Sequence, residues 1–247
     1  MNVVADLLAR DRRGRDLALV TPDDRERTYR DLITNGYKAA NTLRYLGARP
    51  GATVAVDPTP GFHTTLAFLG AAALGAPVRF DAVAGVDRGD PVVLADVATA
   101  VDLDPPPGTN LAAFGGSPDR PETTHWEQEL WSENPGMPPS EAAPEDPVLR
   151  DVDRDYTHRT TCSIAAAAVD AVGIDADTRV VLRGGFADPA AVAVGVVAPL
   201  SAGGAAVLAP SGRGPDGSRG DVAVCAADVD APEPRQVDPA AFVTDRG

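Results

Sequence analysis

The chain has 247 residues, a formal net charge of −14 and 44% hydrophobic residues. A chain of this length supports one large domain or two small ones, each with a sizeable core. The acidic balance excludes a broad basic surface for nucleic acid, which would need clustered Lys and Arg, and it disfavours anionic membrane surfaces. We therefore expect neither nucleic acid nor a membrane as a partner.

The acidity has a particular composition. The sequence contains 28 Asp against 8 Glu, and 21 Arg against a single lysine, Lys38. On an Ala-, Val- and Gly-rich background this pattern resembles haloarchaeal proteins. Multimolar salt screens charge repulsion within about 3 Å, so a large net charge then keeps a protein soluble. The alternative is an ordinary acidic protein from a GC-rich genome.

The sequence shows neither a signal-peptide pattern nor a membrane-span pattern. The opening residues, 1–15, place their charges after a short apolar stretch, which is not a signal-peptide pattern. The most apolar window, 190–210, is interrupted by a proline and two glycines and predicts a helix, a turn and a strand instead of a membrane span. We expect a cytoplasmic protein, in which Cys162 and Cys225 are buried apolar side chains and not a disulfide framework.

The first half of the chain predicts alternating strands and helices. A short amphipathic helix over 1–12 precedes a strand at 17–20, and Thr28 is the expected N-cap of a helix that carries Asp31 in its first turn and stops at Gly47. The remaining predicted elements are a strand at 52–57, a helix from Pro60 or Gly61, strands at 77–81, 91–96 and 110–115, and a helix at 122–131. Short connections between such elements predict βαβ units with parallel strands.

The second half repeats this pattern after a change of composition. Residues 132–146 are rich in proline and acid, so we place a linker at 132–150 between a first subdomain, 1–131, and a second, 151–247. Thr157 is the expected cap of a helix that stops at Gly173. Strands are predicted at 178–183, 205–209 and 221–226, with a helix over 188–204. The predicted fold class is α/β, with two βαβ-type parallel-sheet subdomains.

A glycine-rich loop at 211–220 contains the spacing Gly212-x-Gly214-x-x-Gly217. A dinucleotide-binding fingerprint needs these glycines to open a helix whose amides meet a pyrophosphate. Here Pro215 lies inside the loop and a strand follows, so a surface loop is the favoured interpretation.

The polar side chains offer no clear catalytic or metal pattern. His63, His125 and His158 lack ligand spacing, which predicts no metal site. His125 with Trp126 is either a pocket wall or simple packing. Ser163 lies five residues after His158, a separation that does not place two side chains face to face on a helix, and no G-x-S-x-G sequence is present.

Several segments in series resemble the opening of acyl-CoA synthetases and related adenylate-forming enzymes. In that family a T-Y-x-x-L helix start, a G-x-x-P-G-D-x-V-A-V strand and an L-G-x-x-x-x-G-A helix follow one another. The matching segments here are RTYRDL at 27–32, YLGARPGATVAV at 45–56 and FLGAAALGAPV at 68–78. YTHRTT at 156–161, with residues 173–189 and 198–208, resembles the stretch just after the family's phosphate loop. The resemblance covers most of residues 15–210 and implies the N-terminal subdomains of that fold.

The sequence departs from the family at the phosphate loop. The loop, T-S-G-T-T-G-x-P-K-G, would lie immediately before Tyr156, where this chain has PEDPVLRDVDRD, with no glycine, no lysine and five acidic residues. Such a segment predicts no backbone cradle for a triphosphate. The family's catalytic lysine has no expected counterpart because Lys38 lies in the first helix. Its later adenine- and ribose-binding motifs and its C-terminal domain have none either.

The resemblance implies ATP, AMP or CoA as the family's ligands, but it transfers no catalytic residue and no metal ligand to this chain. Phe186 and Asp188 lie nearest to the position where the family often carries an aromatic residue or histidine beside its acyl pocket, and they are the candidate ligand-contacting residues. The leading hypothesis is a synthetase-like protein without adenylating activity that binds a partner, such as a synthetase-like subunit, or a small ligand. The alternatives are half of a split acyl-CoA or acetyl-CoA synthetase, active only with a second chain, and an inert gene fragment.

Overall fold

A computed structural model of the protein describes residues 1–82, 89–140, 142–210 and 219–243. Within these residues the strands form two sheets, and both sheets are dominated by parallel pairs. The prediction of an α/β fold with two parallel-sheet units is confirmed.

The smaller sheet has six strands among the described residues, in the order β13-β12-β10-β11-β1-β2. Among its described strands, only the β1–β2 pair is antiparallel. The bounds are β1 Leu17–Val20, β2 Glu26–Thr28, β10 Arg179–Leu182, β11 Ala205–Leu208, β12 Val222–Val224 and β13 Arg235–Val237.

The larger sheet has seven described strands, in the order β7-β6-β5-β3-β4-β8-β9. Of these described strands, only β8 and β9 pair in antiparallel fashion. The bounds are β3 Val54–Val56, β4 Val78–Arg79, β5 Val92–Asp96, β6 Asn110–Phe114, β7 Thr124–His125, β8 Pro147–Arg150 and β9 Asp155–Thr157.

The helices connect these strands and fill the space around them. The α-helices are α1 Tyr29–Tyr45, α2 Phe62–Ala73, α3 Val97–Ala100, α4 Trp126–Ser132, α5 His158–Val172, α6 Pro189–Val192 and α7 Ala198–Ala202. A π-helical turn, Ala193–Val197, joins α6 to α7, and short 3-10 helices span Val4–Leu8, Arg10–Arg12 and Pro239–Phe242. The π turn precedes Pro199, which lacks the N–H that an α-helix would need at that point.

Local side-chain chemistry sets the helix ends as the sequence predicts. The Thr28 hydroxyl accepts a hydrogen bond from the Asp31 N–H at 3.2 Å, and the Asp31 carboxylate accepts one from the Thr28 N–H at 3.1 Å. Thr157 caps α5 through the Thr160 N–H at 3.1 Å. Gly173 ends α5 with φ of 65°, a left-handed conformation that glycine adopts without strain.

Two predicted elements were placed wrongly. Residues 1–12 form two 3-10 segments instead of one amphipathic helix. The helix predicted over 122–131 begins only at Trp126, because Thr124 and His125 add a short strand beside β6. The end of the predicted linker forms β8, since Val148 and Leu149 are fully buried and the strand pairs with β4.

The two sheets do not follow the order of the chain. The strands β1 and β2, from the predicted first subdomain, pair with the strands of the second half, while β8 and β9 complete the sheet of the first half. One cluster of buried apolar side chains contains residues of both sheets and of α1, α2 and α5. The predicted linker at 132–150 stays a prediction about domain organisation, but the sheets themselves are interleaved and share a core.

Candidate functional site

The carboxyl ends of the parallel strands define the edge of the larger sheet where an open α/β sheet binds ligands. The strand order reverses between β3 and β5, and ligands of such sheets bind in the crevice at that point. Asp57, which follows β3, is buried there. Its carboxylate accepts hydrogen bonds from the Thr59 N–H at 2.8 Å and from the Asp96 N–H at 3.4 Å. Asp57 therefore ties the ends of β3 and β5 together.

A histidine–glutamate cluster lies at the same edge. Glu127, in α4, is 3.6 Å from Nε2 of His63 through one carboxylate oxygen and 3.5 Å from Nε2 of His125 through the other. The Gly115 N–H, just after β6, donates to the first oxygen at 2.6 Å. The three side chains are 20–29% exposed.

The packing fixes the state of His63. The indole N–H of Trp126 donates to its Nδ1 at 3.2 Å, so the neutral ring carries its proton on Nε2, facing Glu127. Burial lowers the pKa of His63 below its usual value, opposed by Glu127 and reinforced by Arg27. The cluster thus holds a neutral imidazole beside a carboxylate, an arrangement that can accept or pass a proton.

Two phenylalanine rings lie beside His63. His63 lies 5.6 Å from the ring of Phe114 and 5.8 Å from that of Phe62, and the guanidinium of Arg27 stacks 4.5 Å above Phe62. Among the residues that the structure describes, no three His, Cys, Asp or Glu side chains are arranged to hold a metal ion. Trp126 is fully buried and hydrogen-bonds His63, while His125 lies beside Glu127 at the same sheet edge.

The sequence missed this cluster because its members are distant in the chain. His63 begins the helix after β3, His125 ends β7, and Glu127 follows in α4. The available signal was topological: residues just after parallel strands meet at one sheet edge. The third histidine, His158, lies elsewhere and is fully buried, with Nδ1 accepting from the Val4 N–H at 3.0 Å.

Phe186 and Asp188 make contacts within the protein, and their role as ligand-contacting residues stays a prediction. Phe186 is buried against the ring of Phe80 at 5.0 Å, and its N–H donates to the carbonyl of Pro58 at 3.0 Å. It therefore joins the loop after β10 to the loop after β3. Asp188 is exposed and caps α6 by accepting the Ala190 N–H at 2.8 Å.

The segment before Tyr156, where the family resemblance predicts the phosphate loop, forms a tight hairpin. The strands β8 and β9 pair in antiparallel fashion and are joined by residues 151–154. Within this turn the Asp151 N–H donates to the Arg154 carbonyl at 3.0 Å, and the Val152 N–H donates to the Asp151 carboxylate at 2.7 Å. Those two amides are used inside the turn.

The hairpin contains no lysine, but it carries two arginines, Arg150 and Arg154. Arg150 hydrogen-bonds the Thr53 hydroxyl, and its Nε lies 3.3 Å from the Asp155 carboxylate. The guanidinium of Arg154 stacks 4.4 Å from the ring centroid of Tyr156 and hydrogen-bonds its hydroxyl. Both cations have partners within the protein.

Three further features of the sequence are the glycine-rich loop, the two cysteines and the absence of a predicted membrane span. Gly212, Gly214 and Gly217 lie outside the described residues. Cys162 and Cys225 are free and buried, as predicted. Burial raises the pKa of both thiols, to about 11 for Cys162. In the described part of the chain, no helix is both long enough and apolar enough to span a membrane.

Comparison with known proteins identifies the fold. No protein-family model matches the sequence, and no curated protein matches it significantly. Solved structures do match. An anthranilate CoA ligase bound to anthranoyl-AMP superposes with a TM-score of 0.74 at 17% identity, over 90% of this chain and 49% of that chain. A Mycobacterium tuberculosis fatty acyl CoA synthetase gives 0.72 at 19% identity, over 91% and 49%. A benzoate CoA ligase from Burkholderia xenovorans gives 0.70 at 19% identity, over 90% and 50%.

These likenesses establish the fold as that of the N-terminal part of acyl- and aryl-CoA ligases. The chain spans about half the length of these ligases. At such identities the correspondence is one of architecture.

Proposed function

We propose that the chain is a cytoplasmic, salt-adapted archaeal protein that keeps the adenylate-forming scaffold without adenylating activity and serves as a binding or regulatory partner. The observation that carries this proposal is the hairpin at β8–β9. The acidic, lysine-poor composition supports the salt-adapted part.

A triphosphate site needs free backbone amides and unpaired cations. In the turn at 151–154, two amides bond within the turn, and Arg150 and Arg154 already have partners. The turn also carries the carboxylates of Asp151 and Asp153, both exposed, which repel phosphate.

The well-formed local structure argues against an inert gene fragment. Capping at Thr28 and Thr157 is formed, and Arg183 makes a buried, bidentate ion pair with Glu233 at 2.6 and 2.7 Å. A sequence under no selection accumulates changes that leave such charges unpaired, which is strongly destabilising.

The test is acyl-dependent ATP–pyrophosphate exchange. Purified protein is assayed with a panel of aliphatic and aromatic carboxylic acids, in dilute and in multimolar KCl. We expect no exchange above the acid-free blank, because the hairpin does not hold the triphosphate. Exchange that depends on one of the acids and on protein concentration would overturn the proposal.

The alternative function is half of a split acyl-CoA or acetyl-CoA synthetase. The observation that favours it is the match to 49–50% of the length of three ligases. Native purification in high salt distinguishes the two functions. A second chain that co-purifies and restores exchange supports the split enzyme, whereas an inactive protein that purifies alone contradicts it.

A further inference from the structure

A groove outside the candidate site lies between the N-terminal 3-10 helices and residues 135–140. It has a volume of about 670 Å³, within the range of pockets that hold small organic molecules. Its apolar wall is formed by Val3, Leu8, Tyr37, Pro135 and Met137. The hydroxyl of Tyr37 donates to the Leu8 carbonyl at 2.6 Å. This hydrogen bond holds Tyr37 and Leu8 in place without a ligand.

Two arginines, Arg10 and Arg13, also line the groove. The guanidinium of Arg13 lies 4.8 Å above the ring of Tyr37. Its Nε and Nη2 atoms are buried and have no hydrogen-bond partner in the described part of the chain. Charged donors without an acceptor are costly to bury, so this side chain gains from any acceptor that reaches it.

The carboxylate in the groove does not meet this need. Asp6 also lines it, but one of its oxygens accepts hydrogen bonds from the Asn2 N–H at 2.8 Å and the Val3 N–H at 3.2 Å. The Asp6 carboxylate thus satisfies backbone N–H groups at the start of its own 3-10 helix. Two guanidinium groups against one carboxylate leave a local positive charge in a chain of net charge −14.

We propose that this groove binds a small organic anion with an apolar body and a single carboxylate or phosphate group. The anionic group binds the guanidinium of Arg13 after a small rotation of that side chain, and Arg10 adds attraction at the rim. A planar guanidinium matches both carboxylate and phosphate through paired hydrogen bonds. The apolar body lies against Tyr37, Pro135 and Met137. The site is separate from the β8–β9 hairpin and does not depend on the proposed function.

The test compares hexanoate, hexyl phosphate and the neutral 1-hexanol by isothermal titration calorimetry, at the lowest KCl concentration that keeps the protein folded. We expect both anions to bind with one site per chain and hexanol to bind at least about tenfold more weakly, because hydrogen bonds to charged groups are the stronger ones. Equal affinities for hexanol and hexanoate, or no binding of either anion, would overturn the proposal.

Matched variants locate the site. Arg13→Gln should weaken hexanoate binding about tenfold or more, while Arg15→Gln, at an exposed arginine outside the groove lining, should leave it unchanged. Near-ultraviolet circular dichroism checks that both variants are folded. Unchanged binding to a folded Arg13→Gln protein contradicts the proposal. So does a dimer that Arg13→Gln dissociates, because the groove would then be filled by a second copy of the chain.

Discussion

His158 begins α5 with its imidazole fully buried, and the packing determines its protonation state. Its Nδ1 accepts from the Val4 N–H at 3.0 Å, while Nε2 has no partner among the described residues. Burial lowers the pKa of His158 below its usual value, and the nearby Asp146 and Asp6 oppose that shift. The neutral ring is therefore the form that the folded protein keeps.

A pH dependence of stability follows from this state. Because the unfolded chain binds a proton at His158 at higher pH than the folded chain does, the free energy of unfolding should fall as pH drops below about 6.5. Above that value the residue contributes no slope. Urea unfolding between about pH 7.5 and about pH 5 measures it.

The control is His158→Asn, which keeps an acceptor for the Val4 N–H but does not titrate. The loss of stability on acidification should be smaller in this variant. His63→Gln removes the other histidine whose pKa is lowered and reports its share separately. Parallel pH profiles for the wild type and His158→Asn would contradict the account.

The thiols provide a second residue-scale prediction. Since burial raises the pKa of Cys162 to about 11 and also raises that of Cys225, neither should react with a disulfide reagent at about pH 8 while the protein is folded. Both should react after denaturation. Rapid reaction of one thiol in the native state would contradict the prediction, because it would show that this thiol is accessible to the reagent.

Single residues were predictable where the chemistry is local. Thr28 and Thr157 were recognised as caps and Gly173 as a helix stop, because each acts on its immediate neighbours in sequence. The contacts of Glu127 with His63 and His125 were not predicted, since they depend on how distant strand ends meet.

At the scale of elements, α1 and α2 approach each other closely at Gly70. A Cβ placed there would lie 2.8 Å from the Ala40 nitrogen and 3.0 Å from the Ala39 carbonyl carbon, both backbone atoms. The small residue is what allows the two helices to pack at this distance.

Gly70→Ala should therefore destabilise the protein by about 1–3 kcal/mol, as overpacking does. Intrinsic helix propensity alone would predict a gain of about 1 kcal/mol, so the sign of the effect decides between them. Gly184→Ala is the control, because open space surrounds that position, and it should change stability by less than about 0.5 kcal/mol. Chemical denaturation measures both, and a stabilised Gly70→Ala protein would contradict the packing.

The apolar strands were predicted and the polar edge strands were missed. Strands such as Val92–Asp96 and Ala205–Leu208 consist mainly of buried apolar residues, which the sequence displays as short runs. Strands such as Glu26–Thr28 and Arg235–Val237 are short, polar and at sheet edges. They form because the backbone of a neighbouring strand pairs with them. No local sequence pattern predicts that pairing.

At the scale of the whole molecule, the two sheets exchange their outer strands and share one core. The sequence predicted two parallel-sheet units, and the linker placed between them at residues 132–150 stays a prediction. The exchange of β1 and β2 for β8 and β9 depends on long-range pairing, as between Leu19 and Ala206. Hydrophobic periodicity carries no information about such pairing.

We propose that this scaffold does not bind the triphosphate of ATP. The most direct measurement is the thermal midpoint of unfolding in multimolar KCl with ATP, AMP, CoA or an acyl-CoA, on the wild type and on Arg13→Gln. The comparison of the two proteins separates binding in the N-terminal groove from binding at the hairpin.

We expect ATP to leave the midpoint of both proteins unchanged. A ligand present at about 100 times its Kd would stabilise the fold by about 2.7 kcal/mol. A saturable rise of that size with ATP, equal in the wild type and in Arg13→Gln, would contradict the account.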